Sequence, residues 1–543
     1  MSASTLPGAG PDTDVVLDAA RKRNILLAMC VSLMAVIASV SILNVAQQDL
    51  AIDFGASQGT VLWIINAYTL ALAALLMPIG AIGDRWGRKP ILLAGLALFG
   101  VSSLLAALAT SSELMIVARG LGGAAAAMIM PVTLSVITSS FPAEERGQAI
   151  GIWAGVAGGG GIIGMFVAAL MVDVATWRWA FVLPAALVVA GFVLSIKAVP
   201  NSREHSEHRF DIVGSILSLF AIGGIVLGIH EGPEKGWGDQ LTLAGLLIGG
   251  VALLAFVVWE LRQTEPLLDI RTFANRGLST GALSIMLMFA VMFGIFLVLF
   301  PFLQAILGWS ALHSAVSMLP MIGVMMPTST AVAPRLVKRI GIRLTILAGL
   351  ASAGVGLALL ALRASVEGGY LSILPGLLVM GLGMGLSMTP ATEAITEALP
   401  ADKQGVASAL NDTTREVGGA IGVALLGSIV SSGYSNSIGP ALAGLPAELT
   451  EPASEGIGNA LGVVNEGLSS GTLDQATAGR IVTAAQHAFV EGWVSAMWLG
   501  VVIVAAAFVF VLLRGPRGAV GEDVLDLPAT DVDSDPDTEL VPA

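Results

Sequence analysis

The chain has a single cysteine, Cys30, so no intrachain disulfide is available to it. Charged residues fill only 12% of its 543 positions against 55% hydrophobic ones, which excludes an ordinary soluble enzyme. Histidine is scarce, and His205, His208, His230, His313 and His487 show no metal-ligand spacing beyond an i,i+3 pair in a linker. No Gly-x-x-x-x-Gly-Lys-Ser/Thr phosphate loop occurs, so nothing points to work driven by ATP hydrolysis. A convergent nucleophile or metal set, which a membrane-embedded enzyme needs, is also missing from the sequence pattern.

Long apolar stretches are what the chain does have. A helix that crosses a bilayer needs about 20 predominantly apolar residues. Fourteen candidate spans meet that requirement, falling near 25–45, 61–82, 90–109, 114–139, 148–171 and 179–199, then 212–229 and 241–261, then 278–303, 315–332, 344–362, 371–390, 405–431 and 488–513. The expected organisation is a leader over 1–24, a six-helix bundle over 25–200, two extra helices with linkers over 201–276, and a second six-helix bundle over 277–514. Within the second bundle, 433–487 reads as a long outer loop with room for short surface helices, and 515–543 reads as an acidic disordered tail.

Basic residues set the expected orientation, because positive charge near span ends stays on the cytoplasmic side. Of the 26 lysines and arginines, 20 fall in alternate loops counted from the N-terminus, which puts both termini in the cytoplasm. The first apolar stretch is too long for a typical signal-peptide core, so it reads as a retained span. Eight acids between Glu522 and Glu539 supply more than half of the formal net charge of −13, so the acidic balance describes a tail rather than the membrane-facing loops.

Between the second and third spans the sequence runs Gly80-Ala-Ile-Gly83-Asp84-Arg85-Trp86-Gly87-Arg88-Lys89. Glycines permit close helix approach and a tight turn, and Asp84 can pair with a basic group or cap a neighbouring helix. A plain positive-inside cluster explains the basic residues but not the acid and the glycines. In the second bundle Pro334-Arg335-Leu336-Val337-Lys338-Arg339-Ile340-Gly341-Ile342-Arg343 holds the corresponding place, with Gly341 standing to Gly87 as Lys338 stands to Asp84. This weak internal repeat suits a transporter of two related halves.

These residues resemble the signature loop of the major facilitator superfamily, and the whole chain is similar to its fourteen-span drug:proton antiporter branch. Trp177-Arg178-Trp179-Ala180-Phe181, the run from Gly405 to Gly419, and Leu374-Pro375 through Gly381, Gly383, Gly385 and Pro390 carry the finer likeness. The resemblance implies an all-α polytopic membrane protein of two six-helix bundles plus two extra helices. It implies a conformational latch at Gly80, Asp84, Arg85, Gly87, Arg88 and Lys89, and export of hydrophobic or amphipathic drugs, cationic ones included, in exchange for protons. It further implies a plasma-membrane protein that works as a monomer in lipid, needs no cofactor beyond the proton gradient, and binds no nucleic acid.

Span thirteen places Asp412 and Glu416 four residues apart on one helix face, with Arg415 three residues from Asp412. Charges at the bilayer centre cost about 2.5–3.5 kcal/mol each on insertion scales, so these three should face the interior. Desolvation in general makes a carboxylate easier to protonate, which suits reversible proton binding. The other reading is a structural ion pair between Asp412 and Arg415. Arg119 matches the arginine of the family's Arg-x-x-Gln-Gly motif, with Gly122 at the glutamine position, and joins the proton-coupling set; it also lies close enough to the outer boundary to snorkel. Asn44, Trp63, Tyr68, Met128 and Gln304 are the candidates for the substrate cavity.

Two departures stand out. The branch carries an acid in span one where this chain has Ser39, and a proline in the span-five antiporter motif where Met165 follows Gly164. They leave room for a second reading, an exporter of lipid, glycolipid or metabolite with different or no proton coupling.

Overall fold

The computed structural model describes residues 18–56, 58–200, 210–400, 403–443 and 446–516, and among them every regular element is helical. The first bundle consists of α1 (Ala19–Phe54), α2 (Gln58–Trp86), α3 (Arg88–Ala107), α4 (Ser112–Ser140), α5 (Ala143–Val174), the one-turn α6 (Trp177–Ala180) and α7 (Val182–Ala198). An extra pair follows, α8 (Ile212–Lys235) and α9 (Gln240–Glu260). The second bundle contains α10 (Arg276–Pro301), α11 (Ala311–Val316), α12 (Leu319–Pro327), α13 (Ala333–Arg363), α14 (Gly369–Glu397) and α15 (Gln404–Leu442). Two short helices, α16 (Ala447–Glu455) and α17 (Ile457–Ser470), lead to the long α18 (Gln475–Arg514).

Thirteen helical stretches among the described residues are long and apolar enough to cross a membrane. The fourteen expected spans meet thirteen because two of them share the 52-residue stretch Leu312–Arg363. At 1.5 Å per residue that stretch runs to roughly 78 Å, more than twice a hydrocarbon thickness of about 30 Å. It is interrupted at Gly341, whose φ of 83° and ψ of 166° break the helix inside α13. Gly87, at the corresponding place between α2 and α3, also has a positive φ, 107°. A side chain is strained in that region of backbone space, so glycine at both positions is a requirement of the turn.

The segment 433–487, expected as an outer loop with room for short surface helices, is largely helical. Helix α15 continues to Leu442 and α18 begins at Gln475, and the two stay in contact beyond the expected spans. Their approach is close at Gly433, where a Cβ would stand 2.8 Å from Gly492 Cα. In α17 the buried residues Ile457, Ala460, Val464 and Gly467 recur on one face, the pattern of an amphipathic helix. The small-residue composition that suggested a loop is equally a good helix composition when alanine-rich. The expected leader to residue 17 and the tail from residue 517 lie outside the described residues.

The extra pair crosses tightly. A Cβ on Gly224 would stand 2.7 Å from Gly249 Cα, and one on Gly245 would stand 2.9 Å from Gly228 N. Small residues four apart on both helices let the two backbones touch, as membrane helices without a hydrophobic driving force require. Helix α8 seats on both α2 and α15, one from each bundle, while Leu243, Leu247, Val251, Leu254 and Val258 of α9 stay exposed. Each bundle keeps its own apolar core, one around Tyr68, Phe99 and Ile129 and the other around Ile285, Leu350 and Trp493.

Candidate functional site: a closed end and a buried charge cluster

Helix α15 starts without a cap of its own, because Lys403 at its N-cap position makes no side-chain cap bond. The first backbone N–H groups of a helix lack intrahelical partners and carry partial positive charge. Asp84, at the end of α2 in the other bundle, supplies what is missing. Its Oδ1 and Oδ2 accept from Gly405 N at 2.8 and 2.7 Å, and Oδ2 accepts from Val406 N at 3.1 Å. Arg88 donates to Asp84 Oδ1 at 3.0 Å, which balances a carboxylate only 7% exposed. Gly80, one turn before Asp84, makes the approach possible, since a Cβ there would stand 2.7 Å from both Ala409 Cβ and Gly405 O.

The six loop residues therefore divide in place. Gly80, Asp84 and Arg88 stand at the seam between bundles. Lys89 donates to Ile196 O at 2.8 Å and Val199 O at 2.9 Å, covering the end of α7 within its own bundle. Arg85 is exposed, and Gly87 provides the turn.

Higher on α15, Asp412 is fully buried, Arg415 is 3% exposed and Glu416 is half-buried. Arg415 Nη1 reaches Asp412 Oδ1 at 3.5 Å. Its guanidinium lies 4.8 Å from the Trp153 ring of α5 and 4.6 Å from the Phe289 ring of α10, so one cation is held against an aromatic from each bundle. Trp153 is fixed in turn by donating Nε1–H to Thr133 Oγ1 at 3.0 Å. Asn411 Nδ2 donates to Asp412 Oδ1 at 3.2 Å and its Oδ1 accepts from Thr392 Oγ1 of α14 at 3.1 Å. Asp412 Oδ2 and Arg415 Nε and Nη2 are buried without hydrogen-bond partners.

Arg119 points inward rather than snorkelling, and it is 3% exposed. Its Nη1 donates to Ser39 Oγ at 2.9 Å and its guanidinium lies 4.2 Å over the Tyr68 ring. Ser39, the departure in span one, is thus the direct partner of Arg119.

The substrate-cavity candidates do not share one surface. Tyr68 is fully buried beneath Arg119. Trp63 faces the extra pair, with Lys235 Nζ 5.9 Å from its ring. Met128 packs on α3, where a Cβ at Gly95 would stand 2.7 Å from Met128 Cβ. Gln304 is exposed in a π-helical turn after α10, and the side chain of Asn44 lies outside the described ones. Trp153, Phe289, Thr133 and Thr392 escaped the sequence reading because a buried aromatic or threonine in an apolar helix carries no signal until its partner is known.

The span-five glycines pack closely without the branch's proline. A Cβ on Gly151 would stand 2.5 Å from Ser329 O, and one on Gly158 would stand 2.8 Å from Met325 Cε, both across the seam.

Two helical bundles with separate cores, capped across their seam at one end and joined by buried charges further along, define a transporter of two related halves. The chain belongs to the major facilitator superfamily, which residues 28–423 match. It is 34% identical over 469 residues to the multidrug efflux pump LfrA of Mycolicibacterium smegmatis, covering 86% of this chain and 91% of that one. Multidrug resistance protein Stp of Mycobacterium tuberculosis is 31% identical over 418 residues, 77% of each chain. The solved structure of the proton:xylose symporter XylE superposes with a TM-score of 0.55 at 14% identity, over 92% of this chain and 97% of that one, and shares its fold.

Proposed function

We propose that this protein exports hydrophobic and amphipathic drugs or other toxic compounds, cationic ones included, in exchange for protons by alternating access. The observation that carries the reading is that one helix, α15, bears both the end that Asp84 caps from the opposite bundle and the buried Asp412, Arg415 and Glu416. Protonation of those acids and the hold at that end then act on a single rigid element. The names of the relatives, a multidrug efflux pump and a multidrug resistance protein, support drugs as the cargo.

In this reading the end bearing Asp84 faces the cytoplasm, both termini lie on that side, the membrane is the plasma membrane, and the latch residues hold the inner end shut. Arg119 and Arg415 keep the acids oriented, and the monomer works in lipid with the proton gradient as its energy source. The test uses vesicles containing the purified protein and a fluorescent cationic dye, with a pH gradient imposed across them. Wild type moves the dye, and Asp412→Asn with Glu416→Gln cuts the gradient-driven rate at least tenfold. A double variant that matches wild type removes these acids from coupling, and a wild type that ignores the gradient removes proton exchange.

A further inference from the structure

The extra pair brings two carboxyl groups face to face, on helices that belong to neither bundle. Asp211 stands at the N-cap of α8, where its Oδ1 accepts from Gly214 N at 2.8 Å, the bond that a helix start requires. Trp259, near the end of α9, donates Nε1–H to Asp211 Oδ1 at 3.0 Å and to Oδ2 at 3.2 Å. These donors and the helix dipole favour negative charge at this position. The next residue of α9, Glu260, has no exposed surface. Its Oε2 accepts from Leu268 N at 3.3 Å, and its Oε1 has no hydrogen-bond partner. That free oxygen is turned on Asp211, since a Cβ on Gly214 would collide with Glu260 Oε1 and Asp211 Oδ2 at once. Two acceptors facing each other in a buried space repel, and one proton between them turns the repulsion into a hydrogen bond. The surrounding charges leave the pair uncompensated. Lys403, at the start of α15, acts on Glu260 without an ion pair, because its Nζ donates to Pro266 O at 2.8 Å. Asp84 of α2 is spent on Gly405 and Val406, Arg271 donates to Leu261 O, and Asp269 caps its own turn. Arg85, Arg262, Glu265 and Arg276 are exposed. A hard metal cation takes about six or more oxygen ligands, and no group of three His, Cys, Asp or Glu gathers to hold one among the described residues.

We propose that Asp211 and Glu260 bind one proton between them, with Glu260 Oε1–H donating to Asp211 Oδ2, as a proton site separate from Asp412 and Glu416. The pair carries one negative charge with the proton bound and two without it. Leu268, whose N–H donates to Glu260, is buried with Leu267 in the core of the second bundle, and Pro266 is held by Lys403. The proton thus sits where α8, α9 and the linker to the second bundle are tied together, and its release sets two like charges against that tie. The site does not depend on proton exchange at Asp412 and Glu416, so it stands whether or not export is coupled to protons there.

The experiment follows the fluorine resonances of the purified full chain labelled with fluorotryptophan. The Trp259 resonance is the one absent from Trp259→Phe, and its indole bond to Asp211 makes it a reporter of the pair. In wild type this resonance is expected to shift once as pH is varied. Glu260→Gln, whose amide donates to Asp211 as the protonated acid does, is expected to lose the shift, with the other tryptophan resonances unmoved as a check on folding. Asp211→Asn removes the repelling charge and should move the transition to lower pH. Lys403→Gln, which keeps a donor for Pro266 O, removes an attracting cation and should move it to higher pH. The double variant Asp412→Asn with Glu416→Gln should retain the wild-type transition. A Trp259 resonance that ignores pH, or that shifts equally in wild type and Glu260→Gln, overturns the shared proton. A response to sodium or potassium at constant pH, with none to pH, makes the pair a metal-cation site and overturns it as well. Loss of the transition in the double variant assigns the titration to Asp412 and Glu416 and removes it from this pair.

Discussion

Arg119 and Ser39 show how one substitution relative to a family pattern is absorbed by its neighbours. The guanidinium is buried, one hydroxyl accepts from it, and a tyrosine face lies beneath it. Removing the hydroxyl leaves Arg119 Nη1 only the long 3.5 Å contact to Ser39 O, a loss of about 1 kcal/mol. Ser39→Ala should therefore lower the unfolding midpoint in detergent, and Ser39→Asp, which offers Arg119 a counter-ion, should raise it above wild type. An unchanged midpoint in both variants removes the Ser39 contact from the stability of this helix pair. At Arg415 the relevant property is the flat, delocalised cation that sits between Trp153 and Phe289. An ammonium keeps the charge but not the plane. Arg415→Lys should cut dye transport about tenfold, the effect of roughly 1.4 kcal/mol, and full activity would show that charge alone suffices there.

Among the elements, the extra pair offers the cleanest comparison. Gly224 touches the backbone of α9, whereas a Cβ on Gly250 would meet nothing within 4 Å. Overpacking a tight contact costs about 1–3 kcal/mol. Gly224→Val should lower the thermal midpoint in detergent by several degrees, and Gly250→Val should leave it unmoved; equal effects would mean that the crossing does not set the pair's stability. The existence of these helices was legible in the sequence because a run of about 20 apolar residues has few other uses. Their tight crossing was not, because glycines four apart mark a contact only once the partner helix is known. The helical character of 433–487 was left undecided by the sequence for the opposite reason. Small residues such as Ala460 and Gly467 satisfy a loop and a packed helix face alike, and only tertiary contact decides between them.

For the molecule as a whole, the acid and glycines from Gly80 to Lys89 disclosed the seam, because their chemistry suited a helix N-terminus and a close backbone approach. The aromatic clasp on Arg415 stayed hidden, since Trp153 and Phe289 each lie more than a hundred positions away. Gly80 gives the direct test of where the bundles part. Gly80→Leu would push its side chain into Ala409, fully buried on α15, and wedge this end open. Reaction of an Ala409→Cys variant with a water-soluble maleimide should then rise several-fold over the same variant with Gly80 intact. Unchanged labelling would place the opening elsewhere.

The seating of α8 on both α2 and α15 makes the two sides of the seam unequal in thickness. The seam between the bundles has two sides, and the extra pair walls off one of them with a second layer of helix. The opposite side, where α5 meets α12 and α14, has no such second layer among the described residues. One side of the seam is therefore two helices thick, and the other is sealed by the close packing of the α5 glycines Gly151 and Gly158 on Ser329 and Met325.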